Sequence, residues 1–186
     1  MIRILLLATV ILSVHDAFAA CEANPDRLGA RYVETLTVVE PEKEEISYLT
    51  VWRGDRQIAH EYTDKHITEL WEKGASERTR LALYFDDNQR GIEYQPGEEG
   101  LETSKEAWLK KSRLIPADML AGMELSGTSG QSCEQAEHYE KQEEGLSIRI
   151  EWLPGPKLVK SATWETENTR TELCLLYTSD AADELT

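Results

Sequence analysis

The fold is decided by the stretch GLSIRIEWLPGP, residues 145–156, in which apolar and polar side chains alternate up to two prolines. Leu146, Ile148, Ile150 and Trp152 fall on one side of an extended chain, and the polar residues between them fall on the other. This pattern predicts an antiparallel strand with one buried and one wet face. The prolines of LPGP end the strand, because proline has no N–H to donate to a ladder.

The same two-residue period recurs in other short runs that are separated by turn signals, and no internal repeat or low-complexity linker interrupts them. The runs are RYVETLTVV (31–39), ISYLTVW (46–52), QIAHEY (57–62), HITELW (66–71), RLALYF (80–85) and KLVKSATWETE (157–167). Short alternating runs of this kind are typical of antiparallel structure. We therefore predict a mainly β (α+β) fold in which one curved, unclosed antiparallel sheet forms a half-barrel.

One segment departs from the β pattern and predicts a helical insert around residues 103–121. Thr103 and Glu106 have the spacing of a capping box, which marks the start of a helix. Pro116 ends this helix and can open a second short one, with Gly122 as its stop. The sequence thus places a helical hairpin in the middle of a run of strands.

The first residues have the layout of a secretory signal. A positive charge at Arg3 precedes an apolar run over 4–12, and a small-x-small site follows at 17–19. The apolar run is shorter than the roughly 20 residues needed to span a bilayer, and no later segment is long and apolar enough. We expect a signal peptide at 1–19, a single β-rich periplasmic domain at 20–173, and no transmembrane segment after cleavage.

The cysteines leave two interpretations open. The stretch FAAC ending at Cys21 resembles a bacterial lipobox, which predicts a protein anchored by lipid through Cys21. The alternative is a disulfide between Cys21 and Cys133, which an oxidising periplasm favours. The two exclude each other, because a lipidated sulfur cannot also form a disulfide.

The C-terminal stretch carries a different kind of signal. Codons that encode Cys174 to Glu184 resemble the transposase adapter of short-read sequencing libraries. We therefore interpret residues 174–186 as a non-native tail derived from that adapter and exclude them from fold reasoning. On this interpretation the domain is truncated, and its own sequence continues beyond Leu173.

Charge and motifs narrow the function classes. The chain has 20 basic and 35 acidic residues, a formal net charge of −15, so it repels nucleic acid and anionic membrane surfaces. The sequence contains no G-x-S-x-G element and no phosphate-binding glycine loop. No constellation of acid, base and nucleophile emerges, so we expect a non-enzymatic protein without a cofactor.

Two histidines raise a metal-handling alternative. His60 and His66 lie on neighbouring predicted strands across a turn, and cross-strand side chains approach within about 5 Å. Zinc and copper sites usually need three or four convergent ligands, so the pair alone predicts no metal site. The competing interpretation places His60 on one face with Ile58 and Tyr62, partly buried.

Aromatic and branched apolar residues at alternating positions supply the candidate site. Core packing and the lining of a ligand cavity both explain them, since a curved sheet with a helix against its concave side leaves a space lined by such residues. The candidates for core or cavity are Trp52, Trp71, Leu81, Leu83, Phe85, Ile148, Ile150 and Trp152.

The segment LIPADMLAGMELSGTSGQSCEQAEHYEKQEEGLSIRIEWLPGPKLVKSATW, residues 114–164, resembles the bacterial lipoprotein-carrier (LolA/LolB-like) superfamily in its rhythm. The resemblance implies an unclosed antiparallel barrel with helices at its opening, and a lipid or lipoprotein as partner. We expect an envelope protein that binds an apolar or lipidic ligand, or a lipidated partner, in the concave sheet. The alternative is a ligand-free accessory module of an envelope complex.

Overall fold

A computed structural model describes residues 27–74, 79–95, 98, 104–116 and 118–180, without the side chains of Cys133 and Asp180. The expected signal peptide and the lipidation or disulfide at Cys21 lie outside the described residues. The same holds for the side chain of Cys133 and for residues 181–186 of the expected tail. The described residues contain no helix that is both long and apolar enough to cross a membrane.

The described residues form one antiparallel sheet and a single α-helix, which confirms the predicted fold class. The sheet has 11 strands in the order β6-β5-β4-β3-β2-β1-β11-β10-β9-β8-β7, and its edges β6 and β7 do not pair, so it is not closed. The elements are β1 Leu28–Val38, β2 Lys43–Arg53, β3 Gln57–Tyr62, β4 Ile67–Lys73, β5 Thr79–Phe85, β6 Arg90–Tyr94, α1 Lys105–Arg113, β7 Glu124–Ser129, β8 Ala136–Glu143, β9 Leu146–Leu153, β10 Leu158–Thr166 and β11 Thr169–Asp180.

Strand β9 shows why the alternating pattern folds as predicted. Ile148, Ile150 and Trp152 are 7%, 2% and 7% exposed, whereas Arg149 between them is exposed. The side chains on one face of the strand are therefore removed from water and the intervening arginine stays wet. The same face of the neighbouring strands carries the core, and we call it the inner face.

Strands β1 and β11 join the two halves of the sheet. β11 continues past Leu173 to Asp180 and pairs antiparallel with β1 from Val38 back to Leu28. The side chain of Tyr32 on β1 is fully buried, and its hydroxyl donates to the carbonyl of Val159 at 3.0 Å. The β9–β10 ladder shifts register just after Val159, and the phenol ties β10 to β1 at this irregularity.

Helix α1 begins one residue later than the capping-box spacing predicted. Ser104 is the N-cap, and its side-chain oxygen accepts a hydrogen bond from the backbone N–H of Ala107 at 3.1 Å. A serine hydroxyl in this position satisfies one of the free donors of the first turn. The helix ends at Arg113, and Leu114 follows in the left-handed conformation.

The second helix expected between Pro116 and Gly122 is a single 3-10 turn over Leu120–Gly122. Backbone hydrogen bonds in this stretch span three residues, as in the bond from Met119 N to Pro116 O. Seven residues that contain a proline and a glycine give too few bonds to offset the cost of nucleating an α-helix. The expected helical hairpin is thus one α-helix followed by turns.

The core lies on the inner face and is shared by strands from both halves of the sheet and by the helical segment. Its buried members are Leu28, Ala30, Tyr32, Val51, Ile58, Trp71, Trp108, Ile115, Ile148, Ile150, Trp152, Leu158, Val159, Ala162 and Leu173. Trp108 comes from α1 and Ile115 from the segment that follows it, so the helical insert closes the core from the concave side.

Candidate ligand site between the sheet and helix α1

The strand register defines what the inner face presents to the helix. Trp71 on β4 is opposite Ile58 on β3 and Leu81 on β5, and Ile58 is opposite Arg53 on β2. Because opposed residues of a ladder point to the same side, these side chains form one row across four strands. Two residues further along β3, His60 belongs to the next row.

The C-terminal end of α1 is fastened to this face by two buried side chains. His60 Nε2 lies 2.8 Å from the carbonyl oxygen of Lys111, and Arg53 Nη1 donates to the carbonyl of Ser112 at 3.0 Å. The last carbonyls of a helix have no partner within the helix, and a donor from outside satisfies them. Both donors are buried, since Arg53 is 6% and His60 is 2% exposed.

Arg53 also holds the turn between β9 and β10. Its Nη2 donates to the carbonyl of Pro156 at 2.5 Å, and its Nη1 donates to the carbonyl of Lys157 at 3.2 Å. The planar guanidinium offers several donors in a fixed geometry, so one side chain can serve three carbonyls. Arg53 therefore links β2, the end of α1 and the β9–β10 turn.

An ion pair continues the polar contact along the helix. Lys111 donates to Glu69 Oε2 at 2.8 Å, and the indole N–H of Trp71 donates to the same oxygen at 3.3 Å. The ammonium of Lys111 also lies 4.9 Å from the centre of the Trp71 ring. Burial opposes the ionisation of Glu69, but the hydrogen bond and charge of Lys111 hold the pKa of this carboxyl below its usual value.

His60 is neutral in this setting. A carbonyl only accepts, so the hydrogen bond to Lys111 assigns the ring proton to Nε2, and Nδ1 faces Glu69 Oε2 at 3.9 Å without a hydrogen-bond partner. Burial, together with the nearby ammonium of Lys111, lowers the pKa of His60 to about 4. The chemical role that this geometry supports is that of a neutral donor to the helix end.

The two histidines of the metal alternative have separate partners. The ring of His66 is exposed after a 3-10 turn, and its Nδ1 lies 3.7 Å from Asp87 Oδ1. Across the part of the chain that the structure describes, no group of three or more His, Cys, Asp or Glu side chains could hold a metal ion. The geometry gives no support to joint ligation by His60 and His66.

Seven of the eight residues predicted for core or cavity lie on the inner face, and Trp52 does not. Trp52 pairs with Ala59 on the outer face, one position away from the row that contains Arg53. Its ring covers Gly29, where a Cβ atom would collide with it. Trp52 therefore shields the outside of the sheet, and the glycine provides the room.

The inner-face residues divide into a filled part and an open part. The filled part consists of Trp71, Ile148, Ile150 and Trp152, which are buried members of the core. The open part consists of Leu81, Leu83 and Phe85, which are half-buried. Leu81 packs against the core, and Leu83 and Phe85 lie outside that cluster.

An additional residue extends the open part. Ile92 on β6 pairs with Leu83 and is 46% exposed. We call the inner-face positions Leu81, Leu83, Phe85 and Ile92 the open face. Sequence reasoning missed Ile92, and the only signal for it is one apolar residue in the short run RGIEY.

A pocket of about 350 Å³ adjoins the inner face beside the end of α1. Its lining consists of Arg53, Gly54, Asp55, Lys73, Trp108, Leu109, Ser112, Arg113 and Lys157. We call it the cationic pocket, because the described residues that line it include four basic residues and one carboxylate. That carboxylate, Asp55, is paired with Arg27 at 2.6 Å, and the hydrogen bond from Arg27 lowers the pKa of Asp55.

Comparison with known proteins gives matches among solved structures. No family model and no curated protein matches the chain. A DUF1329 family protein from Desulfovibrio piger is 7% identical with a TM-score of 0.38, and the match covers 85% of this chain and 87% of that one.

Two further matches are also solved structures. A domain described as an outer membrane lipoprotein-sorting protein, from Vibrio parahaemolyticus, is 8% identical with a TM-score of 0.37, over 86% of this chain and 87% of that one. A LolA superfamily protein from Nitrosomonas europaea is 9% identical with a TM-score of 0.32, over 87% and 89%.

Proposed function

We propose that this protein is a non-enzymatic envelope protein that binds the apolar chain of a lipid or of a lipidated partner on the open face. The observation that carries the proposal is the run of half-buried side chains at Leu81, Leu83 and Phe85, which continues from the core towards Ile92. An apolar surface that extends a buried core and stays partly wet gains free energy when an apolar ligand covers it.

The carboxylate that lies opposite Leu83 does not oppose such binding. Glu69 lies opposite Leu83 in the ladder, but its carboxylate is already hydrogen-bonded to Lys111 and Trp71. An apolar chain that covers the neighbouring leucine therefore leaves this carboxylate with its partners, so the desolvation cost stays small. Each methylene removed from water contributes about 0.8 kcal/mol.

The compartment is part of the proposal. The sequence of residues 1–19 has the layout of an export signal, and the acidic chain avoids anionic surfaces. We place the protein in the periplasm, with lipid anchoring through Cys21 as the alternative. In either case the ligand is an acyl chain or a lipidated end of another envelope protein.

Displacement of a fluorescent fatty acid tests the proposal. The double variant Leu83→Ser/Phe85→Ser makes the open face polar, and we expect the affinity to fall at least roughly tenfold because two apolar contacts are lost. The matched control is Tyr84→Ser, which changes an exposed residue of the same strand on the outer face. The control should bind like the unchanged protein.

A second candidate function is supported by the filled part of the inner face. Ile148, Ile150 and Trp152 pack with Trp108 of the helix in one cluster, as expected of an interaction module with no ligand. Absence of displaceable binding to the unchanged protein, together with a purified mass free of lipid, would favour this accessory role over the carrier.

A further inference from the structure

We propose that the cationic pocket binds the anionic head group, a carboxylate or a phosphate ester, of an amphiphile whose apolar chain lies on the open face. This inference rests on the proposed function and extends it from an apolar ligand to an anionic amphiphile. The head group of the ligand then lies in the cationic pocket, and its apolar chain lies on the adjacent open face.

The first argument is charge. The whole chain has a formal net charge of −15, yet among the described residues the pocket combines Arg53, Lys73, Arg113 and Lys157 with a single carboxylate. Asp55 is neutralised by Arg27, which does not line the pocket. A cleft lined by one sign of charge raises the local concentration of the opposite ion, so this pocket attracts anions that the rest of the surface repels.

The second argument is the availability of Arg113 and Lys157. Among the residues described, neither has a carboxylate within 4.0 Å, although the chain is rich in acids. Lysine and arginine side chains are strong donors to carboxylate and phosphate oxygens, and arginine can form two parallel hydrogen bonds to one such group. Both groups can therefore turn to a ligand without breaking an ion pair.

The third argument is the way in which these two cations are positioned. Arg113 is the last residue of α1, and Lys157 lies in the β9–β10 turn with φ of 53°. A non-glycine residue in this left-handed region is held there by its surroundings, and Arg53 holds the carbonyl of Lys157. Because Arg53 also holds Ser112, one guanidinium brings distant parts of the sequence to one pocket.

The helix end itself does not cancel this preference. The C-terminus of a helix carries partial negative charge on its free carbonyls, which disfavours an anion nearby. Here the carbonyls of Lys111 and Ser112 are engaged by His60 and Arg53. The positive charge of Arg53 lies directly on one of these carbonyls, so the pocket keeps its cationic character.

The pocket and the open face are close enough for one ligand. Lys73 lines the pocket, lies 4.5 Å above the ring of Trp108 and pairs with Thr79 in the ladder. Leu81 is two residues beyond Thr79 on β5, about 7 Å along the strand. A chain that leaves the pocket past the Trp108 ring thus reaches Leu81 and then Leu83.

The test compares laurate with dodecanol, which has the same chain length and no charge, below the concentrations at which they self-associate. We expect the unchanged protein to prefer laurate at least roughly tenfold, as one or two charge-assisted hydrogen bonds would give. Arg113→Gln/Lys157→Gln should lose this preference and still bind dodecanol. Lys105→Gln/Lys110→Gln removes two exposed charges of the same helix outside the pocket and should keep it.

The outcomes separate the two proposals. Equal binding of laurate and dodecanol, with both abolished by Leu83→Ser/Phe85→Ser, overturns the pocket and leaves the proposed function standing. Inorganic phosphate that binds as tightly as laurate overturns the amphiphile in favour of a free anion. If neither laurate nor dodecanol binds, both proposals fall. Far-ultraviolet circular dichroism of each variant shows whether the fold is retained.

Discussion

Strands β9 and β5 start from the same sequence pattern and end in different surroundings. In β9 the alternating residues Ile148 and Ile150 are buried, and in β5 the alternating residues Leu83 and Phe85 are half-buried. The alternation sets which side chains share a face, and it does so correctly in both strands. The difference between the strands comes from whatever packs on that face.

The helical segment supplies the cover, and it reaches only part of the inner face. Trp108 and Ile115 belong to the cluster that includes the β9 side chains, whereas Leu83 and Phe85 do not. One periodic pattern can therefore produce either core or binding surface. The choice depends on which chain segment lies opposite, and the following predictions test that dependence.

Arg53→Ala breaks the link between β2, the end of α1 and the β9–β10 turn, and it should have the largest effect on stability. Three carbonyls, those of Ser112, Pro156 and Lys157, lose their donor, and each buried acceptor without a partner costs about 1–3 kcal/mol. We expect a loss on the order of 4 kcal/mol in the free energy of unfolding, measured by urea denaturation. Arg53→Lys should recover only part of it, since an ammonium cannot serve all three carbonyls.

Two truncated side chains compare the filled part of the inner face with the open face. Ile150→Ala leaves a cavity in the filled core and should cost about 2–4 kcal/mol in the free energy of unfolding. Leu83→Ala on the open face should cost less than about 1 kcal/mol, because water can fill the space. Equal losses in denaturant midpoint, at unchanged slope, would contradict the division into filled and open parts.

The helix anchor at His60 predicts a pH dependence. The pKa of His60 falls from 6.5 to about 4 on folding, so between these values the unfolded chain binds more protons at this site. The stability that depends on neutral His60 is therefore complete above pH 6.5 and is lost as the pH falls towards 4. We expect a loss on the order of 3 kcal/mol between pH 7 and pH 4, which His60→Gln removes.

The control for that titration is His66→Gln, because His66 is exposed. Its free energy of unfolding should follow that of the unchanged protein at each pH between 7 and 4. If His60→Gln shows the same slope as this control, His60 does not carry the acid sensitivity and the assignment of a neutral donor is wrong.

A substitution on the exposed face of β9 should have the smallest effect on stability. Arg149 Nη2 lies 3.4 Å from Glu165 Oε2, and both side chains are about half exposed. Exposed pairs of this kind contribute roughly 0–1 kcal/mol, so Arg149→Ala should change the free energy of unfolding by less than about 0.5 kcal/mol. A loss as large as that of Ile150→Ala would mean that the two faces of β9 are not distinguished by burial.

Strands β9 and β2 differ in how well the sequence predicted which face turns inward. The alternation in residues 146–152 was enough to predict the buried face of β9, because the period of a strand is two. The same rule grouped Trp52 with the candidates for core or cavity, but β2 carries that residue on the outer face over Gly29. Each strand has two faces, and a run without its register does not say which one turns inward.

His60 shows a second limit. The sequence placed it on a face with Ile58 and Tyr62, and the register confirms that the three share the inner face. His60 donates to the carbonyl of Lys111, which lies 51 positions further along the chain, and no local pattern encodes that contact. The cationic pocket has the same origin, since Arg53, Arg113 and Lys157 are brought together only by folding.

Local patterns in the sequence were enough to predict strands β1–β5, β9 and β10, the helical insert and the layout of an export signal, because these depend on neighbours within a few positions. Which alternating face is covered, where the end of α1 is anchored and which cations share a pocket became visible only in the folded molecule. Those features depend on contacts between distant segments, and their free energies are set by what packs against each side chain after the sheet has formed.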